Sequence, residues 1–163
     1  MTTMDPDTVR QAFGHFATGV TVMTATDSSG SQVGMTASSF NSVSLDPPTV
    51  LWSAGTQAGE FDTFSRCKKF AVHVLSDSQV DLSNRFATPG IDKFDGVEWQ
   101  MSEMGLPIIS GCPLCLQCET QSVHQASDHN ILIGRVMGVD IGSDTAPLLY
   151  YRSAYHRLGD KFK

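Results

Sequence analysis

Short runs of β-branched and aromatic residues, each closed by a turn signal, constrain this chain more than any other feature of its sequence. Val20 to Thr26 is the first such run. Asp27-Ser28-Ser29-Gly30-Ser31 follows it with turn chemistry, so the chain is expected to return as a hairpin through Val33 to Thr36. Phe40, Val43 and Leu45 then lead into Asp46-Pro47-Pro48, which should break a ladder because proline has no N–H to give. Thr49 to Trp52, Phe70 to Leu75, Ile131 to Val139 and Leu148 to Tyr151 complete a set of about seven short strands. Such a set predicts a mainly β chain forming a closed or nearly closed antiparallel barrel. A doubly wound sheet is excluded because strands and helices do not alternate. Neither Gly-x-Gly-x-x-Gly after a strand nor a Walker-type loop occurs, so any nucleotide must be held without those devices.

Helices are few. Asp5 can cap a first helix, with Pro6 at its first position. Val9, Ala12, Phe13, Phe16 and Ala17 then form one apolar stripe, and Gly19 suits the C-terminal end. Two shorter helices are predicted over about Gly59 to Arg66 and Ser76 to Phe86, with an irregular stretch from Ala87 to Met104. At 163 residues, with no repeat or dividing linker, the chain reads as a single domain over 1–163.

Charge narrows the function. Eleven Lys and Arg stand against seventeen Asp and Glu, for a net charge of −6. Sequence-blind nucleic-acid binding runs on clustered cations, so that class is set aside, as is a basic membrane-surface protein. No stretch approaches the ~20 apolar residues of a membrane span. The start MTTMDPDTVR lacks the basic and apolar regions of a signal peptide, so a cytoplasmic location is expected, with the four Cys as thiols.

The densest polar segment is Gly34-Met35-Thr36-Ala37-Ser38-Ser39-Phe40-Asn41-Ser42. Its hydroxyls, small side chains and backbone N–H groups can bond a phosphate or a flat heterocycle without supplying net charge. Read blandly, it is a polar loop or edge strand with satisfied hydroxyls. Gly34 to Phe40, followed by Ser42-Val43-Ser44-Leu45 and Asp46-Pro47-Pro48, resembles the flavin-binding stretch of the flavin reductase family. The likeness includes Phe16-Ala17-Thr18-Gly19-Val20 upstream and Phe70 to Leu75, Arg85-Phe86-Ala87 and Asp92-Lys93-Phe94 downstream. It continues through Gly105-Leu106-Pro107, Asp128-His129, Ile133-Gly134-Arg135-Val136, Pro147 to Tyr151 and Tyr155 to Leu158. Each piece is short, but their order and spacing cover residues 9 to 158.

The resemblance implies a homodimer of FMN-binding split β-barrels that reduces FMN or FAD with NADH or NADPH and supplies a monooxygenase. It places Met35, Thr36, Ala37, Ser38 and Ser39 along the flavin, with Ser53 and Ala54 approaching from the next strand. Phe86 and Tyr155 join the cofactor-binding set, and Arg157 stands with Tyr155 toward the nicotinamide. His129 would face the flavin where the nicotinamide docks, orienting it or stabilising charge; without the resemblance, a His at a strand start reads equally as a surface residue. The family's Ser-x-Thr phosphate site aligns here with Ala58-Gly59-Glu60, and a carboxylate repels phosphate. The phosphate is therefore expected on backbone N–H groups from Thr56 to Gly59, with Arg85 as the nearby cation. Three rival readings remain. One is a non-catalytic flavin- or haem-binding split barrel, another a flavin-dependent reductase of ferric iron or another small acceptor, and the last an iron–sulfur or zinc protein built on Cys112, Cys115 and Cys118.

Other signals carry less. Cys112, Cys115 and Cys118 are spaced like part of an iron–sulfur run, but Ser122 stands where the fourth Cys would be. Strand alternation would also set Cys115 apart from the other two, favouring small buried hydrophobes. Cys67 lies between Arg66 and Lys68, a setting that can lower a thiol pKa. Arg66, Lys68 and Lys69 read as a solvated basic run, and Trp52, Trp99 and the phenylalanines as core.

Overall fold

The structure, a computed structural model, describes residues 5–161. Along the chain run α1 (Pro6–Phe13), β1 (Thr18–Gly19), β2 (Thr21–Thr26), β3 (Gln32–Ala37), β4 (Asn41–Leu45) and β5 (Pro48–Gly55). Then come α2 (Phe61–Arg66), β6 (Lys69–Val74), α3 (Val80–Ala87), β7 (Trp99–Met101) and β8 (Pro107–Ile109). β9 (Leu114–Ala126), β10 (His129–Ile141), β11 (Leu148–Tyr151) and β12 (Ala154–Arg157) complete the order. No helix among the described residues is long and apolar enough to cross a membrane.

Seven strands form one antiparallel sheet in the order β3-β2-β6-β9-β10-β5-β4. Its two outermost strands, β3 and β4, are consecutive in the chain and joined only by Ser38-Ser39-Phe40, so the sheet must curl to bring its edges together. Ser39 fastens the seam. Its Oγ donates to the Ser53 carbonyl at 3.1 Å and accepts the Ser53 N–H at 2.9 Å, tying the end of β3 to β5. The result is a split β-barrel whose seam lies beside the Gly34 to Ser42 segment.

Met23, Trp52, Phe64, Phe70 and Leu132 fill the barrel. Trp52 meets Phe64 edge-on at 4.9 Å and Phe70 at 6.0 Å. Two glycines let aromatic rings lie flat on strands. A Cβ on Gly134 would stand 2.5 Å from the Phe70 ring, and one on Gly34 would stand 2.5 Å from the Phe86 ring. Phe86 anchors α3 against the outside of β3 in a second cluster with Val20, Leu75, Phe94 and Leu148. His73 is fully buried between these layers. Its Nδ1 contacts the Val22 carbonyl at 3.1 Å and its Nε2 accepts the Ile109 N–H at 3.1 Å, so the neutral ring joins β2, β6 and β8.

Two expectations are corrected. The first helix stops at Gly14 rather than Gly19, because Gly14 O accepts the Arg152 N–H at 3.0 Å and Thr18 pairs with Tyr150. These partners are distant in sequence, and helical periodicity cannot reveal them. Asp46-Pro47-Pro48 turns a hairpin instead of ending the ladder, since Pro48 opens β5 opposite Leu45, where a strand's first residue tolerates a missing N–H. Gly34 to Ala37 lie on β3, an edge strand of the sheet, in line with the strand expected through Val33 to Thr36.

Candidate functional site

A cleft of roughly 610 Å3 opens at the barrel seam. Met35, Thr36, Ala37, Ser38 and Ser39 form one wall, Ser53 and Gly55 the floor, and Ala126 to His129 with Ile131 the other wall. The volume lies in the range of small-ligand sites. As an edge strand, β3 has backbone groups on one side that β2 does not use, so they are available to a ligand. The hydroxyls are less free than their number implies. Thr36 donates to Ser83 O at 2.6 Å, and Ser39 is committed to Ser53. Ser38 is exposed and, among the described residues, has no such bond.

The opposite wall is built by the β9–β10 hairpin. Ala126 pairs with His129 across a turn in which Ser127 takes a left-handed φ of 54°. His129 is in register with Gly55, and the missing side chain there gives the imidazole its place: a Cβ would stand 3.2 Å from Nε2. The His129 Nδ1 donates to Asp128 Oδ1 at 2.8 Å, which directs Nε2 away from the carboxylate. That hydrogen bond holds the Asp128 carboxyl below the usual carboxylate range. Asn130 Nδ2 donates to Ser65 Oγ at 2.9 Å, tying α2 to the start of β10.

The structure thus brings together Met35 to Ser39, Ser53 and His129. Tyr155 stands just beyond Thr36 and Ser38, in an adjoining cleft of roughly 240 Å3 with Ser83 and Tyr150. Its hydroxyl contacts Ser83 Oγ at 2.8 Å and donates to Asn84 Oδ1 at 3.1 Å. Other expected residues lie elsewhere. Ala54 is fully buried in the barrel core, and Phe86 is fully buried beneath Gly34. Arg85 lines a separate cleft with Asp81 and Glu98, and its guanidinium donates to Asp92 O at 3.3 Å. Arg157 pairs with Asp77 at 3.2 Å. Gly59 is exposed, while the N–H groups of Thr56 and Ala58 are already bonded to Asp128 O at 2.9 Å and Gly55 O at 3.0 Å.

Sequence reasoning missed the roles of Gly55, Ile131 and Lys93. A glycine ending an otherwise apolar strand was the available sign for Gly55. Lys93 sits inside a recognised motif, yet only the fold shows that it meets Glu60. The thiols also differ from expectation at one point. Burial pushes Cys67 up to about 11, against the lowering that flanking cations suggested. Cys112, Cys115 and Cys118 enter three different apolar clusters.

A profile described as a flavin reductase like domain matches residues 13–159. The chain belongs to the flavin reductase-like family. The FMN reductase (NADH) SmoA of Agrobacterium fabrum is 43% identical over 149 residues, covering 91% of this chain and 84% of that protein. The reductase component of the flavin-dependent trigonelline monooxygenase of Acinetobacter baylyi is 42% identical, covering 90% of this chain and 47% of that one. This family member thus spans about half the length of some curated relatives, 48% in the case of a Rhizobium meliloti flavin reductase. Among solved structures, the Streptomyces globisporus NADH:FAD oxidoreductase SgcE6, in complex with NAD and FAD fragments, superposes with a TM-score of 0.88. It is 34% identical and covers 98% of each chain.

Proposed function

We propose that this chain is an NAD(P)H-dependent flavin reductase whose flavin lies in the seam cleft between β3 and the β9–β10 turn. The observation that carries this reading is the cleft wall itself. It combines an edge strand with free backbone groups, the hydroxyls of Ser38 and Ser53 and apolar Met35 and Ile131, with the His129–Asp128 pair as its charged edge. Those residues fit a flat, neutral heterocycle whose rim alternates donors and acceptors.

When bound, the flavin supplies the chemistry, accepting hydride from the nicotinamide. The chain's own residues do the rest. Met35 to Ser39 bond the ring edge, and Ser39 keeps the seam closed so that the wall does not drift. Asp128 fixes the His129 ring at the open side of the cleft, where it orients the nicotinamide or stabilises charge. Tyr155, held by Ser83 and Asn84, borders the adjoining cleft and extends the cofactor-facing surface.

The reduced flavin passes to a partner monooxygenase, a reading supported by relatives named as monooxygenase reductase components. The chain works as a cytoplasmic homodimer. Support for self-association comes from large apolar side chains left in solvent: Phe13 at the end of α1, Phe16 after it, Leu45 on β4, and Val139 and Ile141 on β10 are 60–93% exposed. All four cysteines are free, as expected of a reducing compartment. Titration of the purified protein with FMN and FAD, followed by NADH and NADPH oxidation with each flavin, tests the activity. Failure to consume either nucleotide with either flavin overturns it. Sedimentation analysis tests the dimer.

A further inference from the structure

Next to the seam cleft, at the Gln32 end of β3, lies a second opening of roughly 220 Å3 lined by Gln32, Gly34, Glu60, Asp92 and Lys93 among others. Its chemistry is unusual for this chain. Lys93 is only 8% exposed, and its Nζ meets Glu60 Oε1 at 2.5 Å and donates to Gly34 O at 3.1 Å. Lysine is almost never this buried unless paired, and Glu60, 20% exposed, is the pair. The other carboxylate in the opening, Asp92, is partly engaged, since its Oδ1 accepts the Phe94 N–H at 3.0 Å.

The position matters because β3 is continuous. Lys93 satisfies a carbonyl at Gly34, and the seam cleft begins one residue later at Met35. From Gly34 to Ser38 the strand advances roughly 13 Å at about 3.3 Å per residue. A flavin whose ring lies against Ser38 can run its side chain along this edge toward Lys93. The anchors first expected are reduced: of the N–H groups from Thr56 to Gly59, those of Thr56 and Ala58 are bonded within the protein, and Arg85 lines a different cleft.

We infer that Lys93 is the cation for the flavin phosphate and that Glu60 is its resident counter-ion, which the incoming phosphate must displace. This rests on the seam cleft being the flavin site. Competition between carboxylate and phosphate for one ammonium keeps the phosphate's contribution small, so the flavin is held mainly by its ring and exchanges readily. Easy exchange suits a protein that hands reduced flavin to another enzyme. Lys93 also positions β3 through the Gly34 carbonyl.

The test compares riboflavin, which lacks the phosphate, with FMN and FAD, using fluorescence quenching at low and high salt. Glu60→Gln keeps an acceptor for Lys93 but removes the charge. It should tighten FMN by about tenfold, leave riboflavin unchanged, and make FMN binding more sensitive to salt. Lys93→Met should weaken FMN more than riboflavin. The double variant Glu60→Gln/Lys93→Gln leaves no buried charge unpaired, so it guards against misfolding, and it should abolish the gain seen with Glu60→Gln. Parallel changes in riboflavin and FMN, or no change in either, overturn the inference while leaving the cleft in place. Riboflavin that fails to bind any variant removes the cleft assignment and this inference with it.

Discussion

His73 links the fold to pH in a way that can be measured. Its ring is fully buried and its Nδ1 and Nε2 are both engaged, Nδ1 at the Val22 carbonyl and Nε2 by the Ile109 N–H. Protonating Nε2 would set an N–H against the Ile109 N–H and place an ion in the core. Burial therefore pulls the folded pKa from 6.5 down to about 4. The unfolded chain binds a proton at pH 5 that the folded chain refuses, so stability falls as pH drops through this interval and levels off below it. At about 1.4 kcal/mol for each pH unit, the loss from neutral pH to pH 4 is about 3 kcal/mol. The lowered carboxylates Asp5, Asp27 and Asp128 add their own loss only as the pH nears 3.8, at the very bottom of this window, so the slope between pH 6.5 and 5 belongs to the histidine. Urea unfolding at a fixed protein concentration, repeated from pH 7.5 to pH 4, reads the slope. His73→Gln removes the titrating group while keeping an amide for hydrogen bonding. It should be less stable than the parent at neutral pH and should lose the slope. If parent and variant decline with equal slopes over this range, the buried neutral His73 is not the cause.

Four further outcomes follow from the same geometry. His129→Ala should slow NAD(P)H oxidation by about tenfold or more while changing flavin affinity little, and unchanged turnover would discard its proposed role. Gly34→Ala should destabilise the fold by about 1–3 kcal/mol and weaken flavin binding, because the new methyl meets the Phe86 ring and shifts β3; thermal melts and flavin titration read the two effects. Tyr155→Phe, which loses its bonds to Ser83 and Asn84, should cost about 1 kcal/mol in urea unfolding. Native protein at pH 8 should resist iodoacetamide, since burial raises the thiols of Cys67 and Cys112 to about 11 and those of Cys115 and Cys118 to about 12. Mass spectrometry before and after denaturation counts the labelled cysteines, and rapid native labelling would contradict that burial.

Much of this protein is local chemistry, and local chemistry can be read directly. The Asp5–Pro6 cap, the Asp27–Ser31 hairpin and the β-branched runs act on neighbours in the chain, so they mark α1, β2–β3 and most of the sheet without any tertiary knowledge. The same holds for Met35 to Ser39 and His129, whose pattern survives as contiguous sequence. Non-local partners were hidden. The Gly14–Arg152 bond ends α1 early, β12 exists because it pairs with β11, and Cys112 parts from Cys118 because it precedes β9 and packs in a different cluster.

Sequence by itself determined the strand-rich class, the polar segment at the seam and the residues that flank it, since side-chain alternation and turn preference depend only on near neighbours. The tertiary structure alone decided which of those residues meet. It sent Arg85 and Phe86 away from the cleft, set Gly55 beneath His129, and joined Glu60 to Lys93. Each of these depends on how a sheet curls and closes, which brings together groups tens of residues apart and gives a buried ammonium the carboxylate it needs.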